Sequence, residues 1–199
     1  ALLDAVRRHG LDILPWSDPA RGLRQRLAFL HRHDPASWPD VSDGALLASV
    51  DRWLLPWLGE DPRRDALRRV DTRETLLGMV GWQQRADIDR LAPTHVEVPS
   101  GSHLPVDYSD PAAPILAVRL QEMFGAADTP RIADGHVPLT LHLLSPARRP
   151  VQVTRDLASF WRTTYFDVRK DLRGRYPRHS WPEDPLIAEA THRTRRRGR

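Results

Sequence analysis

The chain has 199 residues, 40% of them hydrophobic, which is enough for one or two packed domains. It contains no cysteine, which excludes disulfide staples, Cys-ligated zinc and thiol nucleophiles and fits a reducing cytoplasm. The net charge of +4 is unevenly placed: 16 basic against 20 acidic residues through position 145, 9 against 3 over 146–179, and 5 against 1 from 186 onward.

No stretch approaches the ~20 apolar residues that crossing a bilayer requires, and the start, Ala1-Leu2-Leu3-Asp4, lacks the basic and apolar regions of a signal peptide. A chain that is neither membrane-spanning nor exported is therefore expected, and the missing initiator Met reads as the start of a piece of a longer product. Of the 30 basic residues only Lys170 is lysine, which fits either a GC-rich genome or a use of forked guanidinium contacts.

The first ninety residues read as short helices joined by Asp-Pro and Trp-Pro punctuation, because proline suits a helix start and disfavours helix before it. Asp18-Pro19 opens a helix with Ala20, Leu23, Leu27 and Leu30 on one face. Ser42 caps a run of Leu46, Leu47, Val50, Trp53, Leu54 and Trp57 ending near Gly59, Thr72 caps a helix through Leu76, Leu77 and Val80, and Arg85–Leu91 adds another. These Leu and Trp stripes are core, not chemistry.

After Pro93 the pattern turns to β. Thr94–Val98, the turn Pro99-Ser100-Gly101-Ser102 and Leu104–Tyr108 form a predicted hairpin. Pro114–Phe124 reads as a strand passing into a turn that stops at Gly125, and Val137–Leu144, introduced by Asp134-Gly135, alternates as a half-buried strand. A long helix capped by Thr154 then carries Leu157, Phe160, Trp161, Thr164, Tyr165, Val168 and Leu172 on one side, stopping near Gly174. The predicted architecture is α+β: a helical subdomain over 1–92, then an α+β domain over 93–185 with a small antiparallel sheet and a long amphipathic helix. An Arg-rich tail over 186–199, whose last residues, His192–Arg199, have no apolar content to bury, is expected to be disordered on its own.

No catalytic constellation emerges. The single lysine is not preceded by the glycines of a phosphate loop, no Asp-Glu-x-His run is present to hold magnesium, and no glycine-rich dinucleotide fingerprint follows a strand. No cofactor and no metal is expected: His31-x-His33-Asp34 and His136 with His142 lack metal-site spacing. Ser100-Gly101-Ser102-His103 resembles a nucleophile with a base, but adjacent strand residues point to opposite faces and no Gly-x-Ser-x-Gly elbow exists. Glu183-Asp184, between prolines, reads as surface charge or a cap.

The basic stretch is different. The exposed side of the long helix carries Arg155, Arg162, Arg169, Lys170 and Arg173, and Arg175, Tyr176, Arg178, His179 and Trp181 follow in a proline-rich segment that is extended and pinned. Guanidinium groups interleaved with aromatics suit phosphate contact and base stacking on single strands, with Tyr176 and Trp181 as the stacking platforms. Burial of the aromatics against the helix, with the arginines paired to acids, is an equal alternative.

Several blocks occur in order: Val98-Pro99-Ser100-Gly101-Ser102, Asp107-Tyr108, Leu120-Gln121-Glu122-Met123-Phe124-Gly125, His142-Leu143-Leu144-Ser145-Pro146 and Arg149–Thr154. Asp156-Leu157, Phe160-Trp161, Gly174-Arg175-Tyr176-Pro177 before His179, and Trp181-Pro182-Glu183-Asp184-Pro185 complete them. Together they resemble the C-terminal region of HrpB-type bacterial DEAH-box ATP-dependent helicases, strongly over 93–185 and more loosely before, through Leu14–Asp18 and Leu91–His95. Arg178 stands where lysine is common in the family and Ser180 where proline is common.

The resemblance implies a parent that couples ATP hydrolysis to RNA unwinding through two upstream motor domains, which would hold the ATP and magnesium. None of the family's ATPase residues maps onto this chain. The piece is then a non-catalytic accessory module, and its partners are the motor domains and single-stranded RNA or DNA. A bracing or protein-interaction module without nucleic-acid contact is the alternative, and an independent hydrolase using His103 or Glu183 is a third.

Overall fold

The computed structural model describes residues 2–59 and 65–191. The chain divides into two units, Ala1–Ala92 with Tyr108–Ala112, and Pro93–Asp107 with Ala113–Arg199. Residues 108–112 group with the helices because Tyr108, 3% exposed, sets its ring 5.3 Å from that of Phe29. Burial raises the Tyr108 phenol well above its ordinary value, the Arg26 charge opposing this.

The first unit is helical: α1 (Leu2–His9), α2 (Asp18–His33), α3 (Asp43–Ala48), α4 (Val50–Trp53), α5 (Ala66–Arg69), α6 (Thr72–Gly78) and α7 (Trp82–Leu91). Helix α2 packs against α6 and α7, burying Leu23, Leu27, Phe29 and Leu30, while α1 meets α3 and α4. Two caps differ from expectation by one residue. Ser17, not Asp18, accepts the Ala20 N–H, and Asp71, not Thr72, accepts from Arg73 and Glu74. Thr72 is buried and its hydroxyl donates to the Pro15 carbonyl at 3.0 Å.

Ser42 caps α3 as predicted, but the run to Gly59 is not one helix. The Ser49 hydroxyl donates to the Ala45 carbonyl at 2.7 Å and its backbone leaves the helical region, the competition that makes serine poor in a helix interior. The chain restarts as α4 and, with Pro56 in the first turn, a 3-10 turn over Leu55–Trp57. Trp57 is consequently 47% exposed instead of core.

The second unit holds a five-stranded sheet in the order β1 (His95–Glu97), β2 (His103–Asp107), β3 (Ile115–Arg119), β6 (Thr140–Leu144) and β7 (Pro150–Thr154). Strands β4 (Arg131–Ile132) and β5 (Val137–Pro138) form a separate antiparallel pair. The α+β class stands. Four strand pairs in the unit are antiparallel, but β3 and β6 run parallel, Ile115 opposite Thr140 through Arg119 opposite Leu144. A parallel pair needs a crossover, supplied by a 3-10 turn over Leu120–Met123 and the β4–β5 pair. The predicted Val137–Leu144 strand is thereby split at Leu139, whose N–H turns to the Pro130 carbonyl.

The β1–β2 turn closes on Gly101 with φ +78°, a left-handed conformation that favours glycine. Ser100 and Ser102 donate to the carboxylate of Glu122 at 3.1 and 2.7 Å, and Glu122 is 5% exposed. These serines therefore serve a buried carboxylate, and His103 stands exposed with Nε2 4.0 Å from Glu97. No helix among the described residues is long and apolar enough to cross a membrane.

Candidate nucleic-acid interface

Strand β7 ends at Thr154, whose hydroxyl accepts the Asp156 N–H instead of capping a helix. Asp156 is the cap, accepting from Ser159 at 2.8 Å, and the expected long helix is two: α8 (Leu157–Arg162) and α9 (Tyr165–Arg175). The break falls at Thr163, whose hydroxyl donates to the Ser159 carbonyl at 2.8 Å, a β-branched residue bonding back onto the preceding turn. Gly174 lies inside α9, which ends at Arg175.

The break brings the aromatic side chains together. Tyr165 is fully buried, with its ring 5.2 Å from Trp161, 6.2 Å from Phe160 and 6.3 Å from Phe124. Its hydroxyl donates to the Pro182 carbonyl at 2.7 Å, and burial pushes its pKa up to about 12, with Arg169 pulling it down and Asp184 up. The segment after α9 is held at two further points. Arg169 Nε donates to the Trp181 carbonyl at 3.0 Å, and Trp181 Nε1 donates to the Tyr176 carbonyl at 2.8 Å.

Trp181, 8% exposed, therefore offers little ring surface for stacking. Arg169 is likewise committed, 19% exposed in its side chain and 3.7 Å from Glu183, and Arg175 pairs with Asp171 at 3.1 Å. Arg162, Lys170, Arg173 and Arg178 are exposed and have no acidic partner among the described residues. Arg155 is exposed too, but it lines a separate 450 Å3 pocket with Arg131 and two carboxylates, Asp128 and Asp156. Tyr176 and His179 are half-buried, their rings 6.1 Å apart.

Sequence reading missed two features. Phe166 is 50% exposed and precedes Lys170 and Arg173 by four and seven residues, so the three share one face of α9. The signal was present, since Phe166 lies off the apolar stripe of the helix. Arg119, at the end of β3, is the second, and only the fold reveals its setting. The tail expected from 186 is held on both sides of its first residues: the Gly125 N–H donates to the carbonyl of Pro185, just before it, at 2.8 Å, and the Thr191 N–H donates to the Gln121 carbonyl at 3.0 Å. The arginines of 193–199 lie outside the described residues.

A helical unit followed by an α+β unit of this fold is also present in a helicase of known structure. Residues 53–185 match the HrpB_C family, described as ATP-dependent helicase C-terminal, and the chain belongs to that family. In sequence it is 43% identical over 197 residues to the ATP-dependent RNA helicase HrpB of Escherichia coli (strain K12), covering 98% of this chain and 24% of that protein. A crystal structure of the E. coli DExH-box NTPase HrpB is similar with a TM-score of 0.86 and 44% identity over 96% of this chain and 24% of that one. A second, of the Escherichia coli DEAH/RHA helicase HrpB, is similar with a TM-score of 0.72 and 41% identity, covering 91% and 23%. The chain thus spans about a quarter of the length of these relatives.

Proposed function

We propose that this chain is a non-catalytic accessory module of a cytoplasmic ATP-dependent RNA helicase and that it contacts single-stranded RNA beside the motor domains, which hold the ATP and magnesium. The observation that carries this reading is the exposed face of α8 and α9, where Arg162, Lys170 and Arg173 have no acidic partner among the described residues and Phe166 lies between them in sequence. Unpaired cations attract the phosphate backbone, and a half-exposed ring offers a base a stacking surface. Arg178 extends the charge.

The test is fluorescence anisotropy with labelled single-stranded RNA across a salt series, comparing the whole chain, a chain ending at Thr191, and R162A/K170A/R173A. The truncated chain retains binding, and the triple variant lowers the salt slope by about 2, at roughly 0.7 per phosphate contact. Binding that vanishes with residues 192–199, or none at all, refutes the reading.

A second reading, a bracing role through protein contact, is favoured by the apolar side chains left exposed on the helical unit. Trp82 is 80%, Trp57 47% and Leu55 45% exposed. On that reading W57S/W82S weakens association with the separately expressed motor domains and leaves RNA binding unchanged.

A further inference from the structure

Four arginines among the described residues are buried or half-buried: Arg24, Arg26, Arg119 and Arg169. Three are satisfied. Arg24 reaches Asp43 and the Val41 carbonyl, Arg26 reaches Asp89 and the Ala92 carbonyl, and Arg169 reaches Glu183 and the Trp181 carbonyl. Arg119 has no carboxylate and no hydrogen bond among the described residues, and its Nε is sealed from solvent without an acceptor. The carboxylate close by in sequence, Glu122, is occupied by Ser100 and Ser102.

The fold places other polar groups at the same spot. Strands β3 and β6 are parallel and in register, so Arg119 lies opposite Leu144, and both strands end there. Ser145 follows, 2% exposed, with its hydroxyl 3.5 Å from the Tyr176 hydroxyl. The Tyr176 ring is 6.1 Å from that of His179, and His179 is near enough to Arg119 to feel its charge. His179 Nδ1 is the second sealed atom of this cluster without a partner. The rim is basic: Arg148 and Arg149 lie in the turn after Ser145, and Arg178 precedes His179, all three exposed.

A half-buried guanidinium without a counter-charge is costly unless an anion completes it. An oxyanion provides acceptors for Arg119, for a His179 N–H and for the hydroxyls of Tyr176 and Ser145 at once, with charge-assisted bonds to the guanidinium. We infer that Arg119, His179 and Tyr176, at the shared end of β3 and β6, form a binding subsite for a backbone phosphate of the RNA. This rests on the RNA-facing function proposed above and extends it from the α8–α9 surface to a defined pocket.

The experiment uses the full chain as wild type, R119Q, R119K, H179N and Y176F, with thermal melts to select variants that fold. Each is assayed with labelled single-stranded RNA, and the His179 side-chain resonance is followed by NMR at constant pH while inorganic phosphate is added. The expected result is RNA affinity weakened roughly tenfold in R119Q, the loss of about one charge-assisted contact, with partial recovery in R119K. Phosphate shifts the His179 resonance in wild type and not in R119Q. If R119Q fails to fold, H179N and Y176F decide, each expected to weaken binding several-fold.

Wild-type and variants binding RNA equally overturns the subsite and leaves the RNA-facing function standing. Phosphate shifting His179 without any RNA binding by wild type overturns the RNA-facing function and, with it, the assignment of the site to RNA, leaving a free-phosphate site. No response to either ligand overturns both.

Discussion

Replacing Trp181 separates a residue that holds the fold from one that holds a ligand. The indole is 8% exposed, its N–H satisfies the Tyr176 carbonyl at 2.8 Å, and its own carbonyl is held by Arg169 at 3.0 Å. Trp181→Ala removes the ring and leaves a cavity beside α9, a change that costs about 3–5 kcal/mol in well-packed sites. Trp181→Phe keeps most of the buried area and deletes only the N–H, leaving one carbonyl without its donor at a cost of about 1–2 kcal/mol. Urea denaturation followed by far-UV circular dichroism measures both, and RNA anisotropy on the folded fraction measures the rest. The expected pattern is a graded loss of stability with RNA affinity unchanged in Trp181→Phe. Unchanged stability in Trp181→Ala together with lost RNA affinity refutes the reasoning and restores the ring as a stacking platform.

Other outcomes follow from the same geometry. Arg26→Ala destabilises the helical unit by about 2–3 kcal/mol, because the Ala92 carbonyl loses its donor and the core loses an aliphatic stem; Asp89→Asn costs under about 1 kcal/mol, its side chain being 83% exposed, as denaturation midpoints will show. Ser102→Ala takes the 2.7 Å donor from the buried Glu122 carboxylate and lowers stability by about 1.5–3 kcal/mol, whereas Ser100→Ala, with the longer contact, lowers it less. Burial, then the Arg119 charge, holds the His179 pKa below its ordinary value of 6.5, so as pH falls the unfolded chain takes up the proton first and stability declines below about pH 6.5. His33 is depressed in the same direction by burial and Arg32, so the fall in urea midpoint between pH 8 and pH 5 is reduced in H179Q and reduced further in H33Q/H179Q.

Sequence alone determined what local chemistry decides. The α+β class, the helix opened near Asp18-Pro19, the Ser42 cap, the hairpin around Gly101, the strand that starts at Ile115 and passes into a turn, and the ordered blocks that carry the family resemblance were all legible. Each depends on residues close in the chain: a cap, a turn glycine or a period of two or four. The pinned character of 175–185 was legible too, from its prolines, although Arg175 ends α9 and the chain turns at 177–178, where the His179 N–H donates to the Tyr176 carbonyl.

Tertiary structure decided the rest. A hydrophobic stripe does not register whether Ser49 or Thr163 bonds back onto its own turn, so two single helices on paper are broken ones in the protein. Strand direction is not encoded by alternation, so the parallel β3–β6 pair came only from the crossover between them. The composition of the basic segment could not say which of its side chains find partners within the chain. Arg169, Arg175 and Trp181 found partners at 3.7, 3.1 and 2.8 Å, while Arg119, unremarkable in sequence, was left without one because its strand ends where Ser145, Tyr176 and His179 converge from 26 to 60 residues away.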